Sequence, residues 1–163
     1  MNQLDFDLDL ELAVVKDDSL VIAAVPITML PLVWDRVVPL IDKPIALSHG
    51  EVTIDSIKAR LYAGEALLLT VSRGSEIVAV NTVEIRTAES GLRTLYIPLI
   101  GGHEMESWMY RFLEVAKAIA KDFNCTELRG IAARKGWMRK LAPLGWSEVA
   151  TIIKCDVDVG DSQ

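Results

Sequence analysis

The chain is patterned in short blocks, and the period of each block predicts its element. Residues 4–12 alternate Leu, Phe and Leu with Asp and Glu, the period of a strand with one wet face. Asp17, Asp18 and Ser19 turn the chain into a second apolar run at 20–25, so the two runs predict a hairpin, with an acidic outer face that discourages edge-to-edge association. After Pro26, residues Leu30, Val33, Trp34, Val37, Val38 and Ile41 recur at helical spacing, predicting a helix over 27–41 with Pro31 in its first turn. A second helix is expected at 53–62, capped by Thr53 with Ser56 in its first turn and stopped by Gly64. Two apolar runs at 67–71 and 77–85 flank Arg73-Gly74-Ser75 and predict a hairpin, and Gly91 leads into a strand over 93–100 that Gly101-Gly102 should end in a turn.

The next stretch narrows the topology most. Trp108, Phe112, Val115, Ala116, Ile119 and Phe123 form one helical face, with Arg111, Glu114, Lys117 and Lys121 opposite and Asn124 as a stop. Residues 127–133 follow as a strand buried at Leu128 and Ile131, so strand, helix and strand predict a βαβ unit with two parallel strands. A short basic helix at 135–142, stopped by Pro143 and Gly145, then leads to a long final strand at 146–157.

Composition adds bounds to this picture. The 163 residues fit a single domain, with an acidic segment at 1–25, a core at 26–157 and a tail at 158–163; 51% hydrophobic and 25% charged residues are globular values. No apolar run is long enough for a membrane span and the start lacks a basic leader, so the expected location is the cytoplasm. Cys125 and Cys155 lack metal-ligand spacing and are expected as reduced core residues. The net charge is -6, and residues 1–18 hold six acids against Lys16 alone, which argues against general nucleic-acid affinity. Arg134, Lys135, Arg139 and Lys140 form a basic cluster, either a solvated face or an anion site. There is no Walker loop, dinucleotide fingerprint, zinc spacing around the two histidines or GxSxG elbow.

Several short motifs occur in a telling order: Val25-Pro26 before Trp34 and Val38-Pro39-Leu40, then Leu61-Tyr62-Ala63-Gly64-Glu65, Leu99-Ile100-Gly101-Gly102, Gly136-Trp137 and Leu144-Gly145-Trp146. In this order the chain resembles the GNAT acyltransferase superfamily over nearly its full length, and in particular the small GNAT-like proteins encoded by tailed phages. The resemblance implies an α+β fold with a mixed, mostly antiparallel sheet, helices on both faces and a splayed parallel strand pair. It further implies acetyl-CoA or another acyl-CoA in the opening, with Pro98, Leu99 and Ile100 beside the pantetheine and Gly101, Gly102 and His103 at the phosphates, where bare N–H groups and a helix dipole suit an anion.

The chain departs from that family in two places. Its loop is only Gly101-Gly102-His103-Glu104-Met105, with Glu104 and Glu106 poorly suited to a phosphate, and Leu141 stands where many members carry a tyrosine acid. Acyl transfer to an amine needs a base and an acid. Glu84, Tyr96 and His103 are the catalytic candidates; Glu84 otherwise faces solvent, Tyr96 is otherwise an ordinary sheet tyrosine, and His103 and His49 are otherwise loop residues. Trp137 and Trp146 are expected to pack in the core. Two functions are therefore expected in parallel: an acyl-CoA-dependent N-acyltransferase for a small-molecule or protein amine, or a non-catalytic GNAT-fold phage component that binds a phage or host protein, in the virion or the host cytoplasm. The regular alternation at 4–12 also suggests strand exchange in a homodimer.

Overall fold

The computed structural model describes residues 20–132 and 134–158, so the expected acidic strand at 4–12 lies outside the described residues. The chain divides into two compact units, the first ending at Ile131 and the second beginning at Ala132. The first unit contains β1 (Leu20–Val25), a 3-10 turn at Ile27–Met29, α1 (Leu30–Ala46), α2 (Ile54–Tyr62), β2 (Leu67–Arg73), β3 (Glu76–Thr87), β4 (Arg93–Gly102), α3 (Met105–Asp122) and β5 (Glu127–Gly130). Among its described residues, five strands form one sheet in the order β1-β2-β3-β4-β5. The first three pairings are antiparallel and β4 with β5 is parallel. No helix among the described residues is long and apolar enough to cross a membrane.

Local chemistry explains most of these boundaries. α1 begins with Pro31 in its first turn but runs past the expected end at 41, through Pro39 and Pro44. Each internal proline removes a helical hydrogen bond. The burial of Leu30, Trp34, Val37 and Ile41 along one face offsets that cost. Pro44 has no N–H to give to the carbonyl of Leu40, a group that matters below. α2 opens on a full capping box: Ser56 N donates to Thr53 Oγ1 at 2.9 Å and Thr53 N to Ser56 Oγ at 2.8 Å. Gly64, with φ of 72°, follows its end.

Two bulges shape the sheet. Val71 pairs with Ala79 and Ser72 with Ile77, so Val78 is an extra residue on β3. Thr82 pairs with Leu99 but Glu84 with Tyr96, so Ile97 and Pro98 of β4 together face Val83. Pro98, which has no N–H for a ladder, sits where the ladder is already interrupted. Strand alternation then sorts the side chains. Leu68, Val80 and Leu99 pack with Leu30, Trp34, Val37, Ile41, Ile57 and Leu61 in one cluster under α1 and α2. The alternate residues Leu69, Val71, Ala79, Val83 and Leu95 are buried as well. Trp108, Phe112, Leu113, Val115, Ala116, Ile119 and Ala120 of α3 are buried outside the first cluster, as a second layer. Asn124, at φ of 58°, ends α3 as expected.

Five expectations are corrected. β4 does not stop at 100: Gly101 and Gly102 continue the strand opposite Val80 and Ala79, and the chain turns at His103 and Glu104. β5 is shorter than 127–133, with Leu128 half-buried and Ile131 56% exposed. The second unit holds α4 (Lys135–Leu141) and a 3-10 turn at Ala142–Leu144 closed by Gly145 at φ of 92°. The strand expected over 146–157 is absent, and Val149, Ile152, Ile153 and Val157 are exposed. Alternating apolar residues make a strand only where a second backbone offers a ladder, and this unit has no other strand among the described residues. Both cysteines are free, but Cys125 is half-buried and Cys155 exposed, so neither is the core residue expected. Trp137 and Trp146 are likewise half-buried, short of full core burial.

Candidate active site

The site starts from a mismatch in strand length. Parallel pairing runs from Thr94 with Glu127 to Ile97 with Gly130, where β5 ends. β4 continues to Gly102, so residues 98–102 have no strand partner on the β5 side among the described residues. In sheets with parallel strands, ligands gather beyond the carboxyl ends where neighbouring strands part. Pro98, Leu99, Ile100, Gly101, Gly102 and His103 lie consecutively there. Leu99 and Gly101 are buried toward α1, Pro98, Ile100 and Gly102 are half-buried, and His103 is exposed.

The two glycines have packing reasons of their own. A Cβ on Gly101 would overlap the Leu40 carbonyl oxygen and lie 3.0 Å from Pro44 Cγ. A Cβ on Gly102, at φ of 116°, would come within 2.5 Å of Ala79 Cα. Close approach to α1 and β3 therefore requires glycine before any ligand is considered. The result is bare backbone running along the open edge.

The turn beyond is held at three points. His103 N donates to the carbonyl of Val78, the extra residue of the β3 bulge, at 2.8 Å. Its own carbonyl accepts from Trp108 Nε1 at 2.7 Å. Glu104, the residue before α3, takes the left-handed conformation at φ of 58° and accepts from Arg73 Nη1 at 2.7 Å. That hydrogen bond and the adjacent guanidinium charge hold the Glu104 carboxyl below its ordinary 4.5. The acid that looked hostile to a phosphate thus has a cation beside it. Sequence reasoning missed Arg73, which sits at the end of β2, 31 residues earlier.

At the inner end of the open stretch stand Glu84 and Tyr96, cross-strand partners just before the β4 bulge. Glu84 does not face solvent as alternation with Val83 and Ile85 suggested; it is 2% exposed. Its Oε2 accepts from Arg60 Nε at 3.0 Å and Nη2 at 2.5 Å, and its Oε1 from Arg86 Nε at 2.8 Å and Nη2 at 2.6 Å. Two guanidinium groups compensate the buried charge, as such a carboxylate requires. The guanidinium carbon of Arg86 also lies over the Tyr96 ring, 3.5 Å from its centroid. Burial pushes the Tyr96 phenol above its ordinary 10.0, against the opposing pull of Arg86. Arg86 was findable in sequence, two residues from Glu84 and on the same strand face; Arg60 reaches the site only through the packing of α2. His103 stands seven residues along β4 from Tyr96, roughly 20 Å at about 3.3 Å per residue, so the three catalytic candidates do not meet. His49 is an exposed turn residue at φ of 54°.

No family model matches the sequence, and no curated protein matches it either. Solved structures do match. An aminoglycoside acetyltransferase from an uncultured soil metagenomic sample, in complex with sisomicin, is 13% identical at a TM-score of 0.61, covering 86% of this chain and 99% of that one. A predicted acetyltransferase of Clostridium acetobutylicum, solved with acetyl-CoA, is 10% identical at 0.61, covering 84% and 96%. Glucosamine-6-phosphate N-acetyltransferase of Arabidopsis thaliana is 12% identical at 0.57, covering 85% and 99%. These likenesses show the fold, which is the GNAT fold: a mostly antiparallel sheet with one parallel pair.

Proposed function

We propose that this GNAT-fold chain is an acyl-CoA-dependent N-acyltransferase acting on a small-molecule or protein amine. The observation that carries this reading is the edge of β4 beyond Ile97, which has no strand partner on the β5 side among the described residues. Pairing with β5 stops at Ile97 and Gly130, while β4 runs on to Gly102 and then turns directly into α3. Backbone without side chains at Gly101 and Gly102, followed by the positive end of a helix dipole, fits a pyrophosphate. The edge at Pro98, Leu99 and Ile100 fits an extended pantetheine arm that seeks strand-like hydrogen bonds. Bound there, an acyl-CoA supplies an activated thioester. In this reading His103 belongs to the phosphate end, and Glu84 and Tyr96 to the reacting end.

Calorimetric titration with acetyl-CoA tests it. Micromolar binding is expected. Arg73→Glu, an exposed change that leaves Glu104 without its cation, should weaken binding about tenfold, or ~1.4 kcal/mol. A titration without heat at millimolar acetyl-CoA would refute the enzyme and favour the non-catalytic binding component. Substituting Gly102 is not informative here, because any side chain meets β3 first.

A further inference from the structure

We infer that Arg86 binds an oxyanion beside Tyr96, and that the acceptor is therefore an amine that also carries a carboxylate or a phosphate. The acceptor's class rests on the acyltransferase reading; the anion site rests on the geometry of β3, β4 and β5 alone.

One buried carboxylate holds two guanidinium groups here. A buried charge requires compensation, and Arg60 from α2 already supplies it to Glu84 Oε2, through Nε at 3.0 Å and Nη2 at 2.5 Å. Arg86 adds a second positive charge on Oε1, through Nε at 2.8 Å and Nη2 at 2.6 Å. Two cations on one anion leave a positive charge over, and Glu65 offsets it only at Arg60, 3.6 Å from Nη1. Burial then decides which charge meets solvent. The Glu84 side chain is 3% exposed and that of Arg86 52%, so a dissolved molecule meets the guanidinium and not the carboxylate. Arg86 Nη1 has no partner among the described residues, which leaves its N–H groups open to an oxyanion.

The guanidinium is also fixed in place. Glu84 grips two of its nitrogens, and its carbon lies 3.5 Å from the Tyr96 ring centroid. A side chain already held on two sides loses little freedom on binding. Strand register adds a second arginine. Tyr96 pairs with Glu84 on one side and with Arg129 on the other, so Arg129 stands on the same sheet face; Glu127 engages its Nε at 2.7 Å. Tyr96 thus lies between arginines of β3 and β5. Glu51, exposed between α1 and α2, acts on the same phenol with the opposite charge. A molecule with an oxyanion at one end and an amine at the other meets both signs here, whereas a polycation meets three arginines. Position agrees: Tyr96 is one residue short of Ile97, where pairing with β5 ends, so the seat adjoins the inner end of the stretch at 98–102.

The experiment follows thiol release from acetyl-CoA with amines paired by their oxyanion: glycine with glycinamide, and phosphoethanolamine with ethanolamine. The parent should favour the charged member of a pair, the first pair reporting a carboxylate and the second a phosphate. Arg86→Gln should lower that preference in kcat/KM about tenfold, chiefly through the acceptor's KM and without weakening acetyl-CoA binding. Arg86→Lys keeps a cation against Glu84 but loses the planar fork, so it should melt near the parent and still lose most of the preference. A charged-to-neutral ratio that neither variant moves overturns the inference, as does turnover confined to glycinamide and ethanolamine. So does acetyl-CoA binding with no thiol released on any of the four amines. Failure to bind acetyl-CoA instead removes the acyltransferase reading and the acceptor with it; titrating acetate and inorganic phosphate against the Arg86 Nε signal by NMR then decides the anion site by itself, a shift upholding it and an unmoved signal overturning it.

Discussion

Gly101→Ala isolates why the chain needs its paired glycines. The added Cβ would overlap the Leu40 carbonyl oxygen and stand 3.1 Å from that carbonyl's carbon and 3.0 Å from Pro44 Cγ. Two of the three obstructing atoms are backbone. The strand cannot yield either, since Gly101 is in register with Val80 in the β3 ladder. Relief requires α1 and β4 to separate by about an ångström over a seam where Leu99 and Val80 pack with Val37 and Ile41. Overpacking of this kind costs about 3 kcal/mol when neither side can rotate away. For a chain of this length that lowers the thermal midpoint by roughly 6 to 12 °C. Helical circular dichroism during heating, with no acyl-CoA present, measures it. Gly136→Ala is the control: a Cβ there has nothing within 4 Å and improves helix propensity in α4. An unchanged midpoint in Gly101→Ala would refute the packing account and leave ligand approach as the reason for the glycine.

Three further outcomes are expected. Asn81, fully buried with both side-chain polar atoms unpartnered, carries a desolvation cost that Asn81→Leu removes, so the variant should gain about 1 kcal/mol in urea unfolding; a loss would refute that account of the amide. Thr53→Ala breaks the capping box of α2 and should cost ~1 kcal/mol by the same assay, with Thr53→Asp largely restoring it; no loss on Thr53→Ala would refute the cap's role. The Tyr96 phenol has its folded value raised above 10.0, so its contribution to stability is complete below pH 10 and disappears as pH rises through the folded value; Tyr96→Phe should lack that alkaline loss, and identical alkaline profiles would contradict a phenol raised by burial.

The elements were legible because each depended on neighbours in sequence. Thr53 and Ser56 specify a helix start, Asn124 an end, and Arg73-Gly74-Ser75 a turn, through contacts within a few residues. The expectations that failed depended on distant partners. Gly101-Gly102 resembled a turn, yet the backbones of Val80 and Ala79 hold it in the sheet. Residues 146–157 have the alternation of a strand, but among the described residues of their unit there is no second strand to give their N–H and C=O groups a ladder.

For the candidate site, the sequence by itself offered a stretch from Tyr96 to His103 with glycines, a proline and titratable groups, at the end of the first of two runs fit to be parallel strands. Alternation cannot specify what crosses from another element, and that part only tertiary structure decided. A one-residue bulge sets which face Tyr96 shares with Glu84, and α2 packing brings Arg60 to bury a carboxylate that sequence would leave in water. Arg73, remote in sequence, sits beside Glu104 and changes the charge at the start of α3. Local patterns fix backbone conformation because their forces act over one or two turns; ion pairs and overlaps act through space, between residues that the chain order keeps apart.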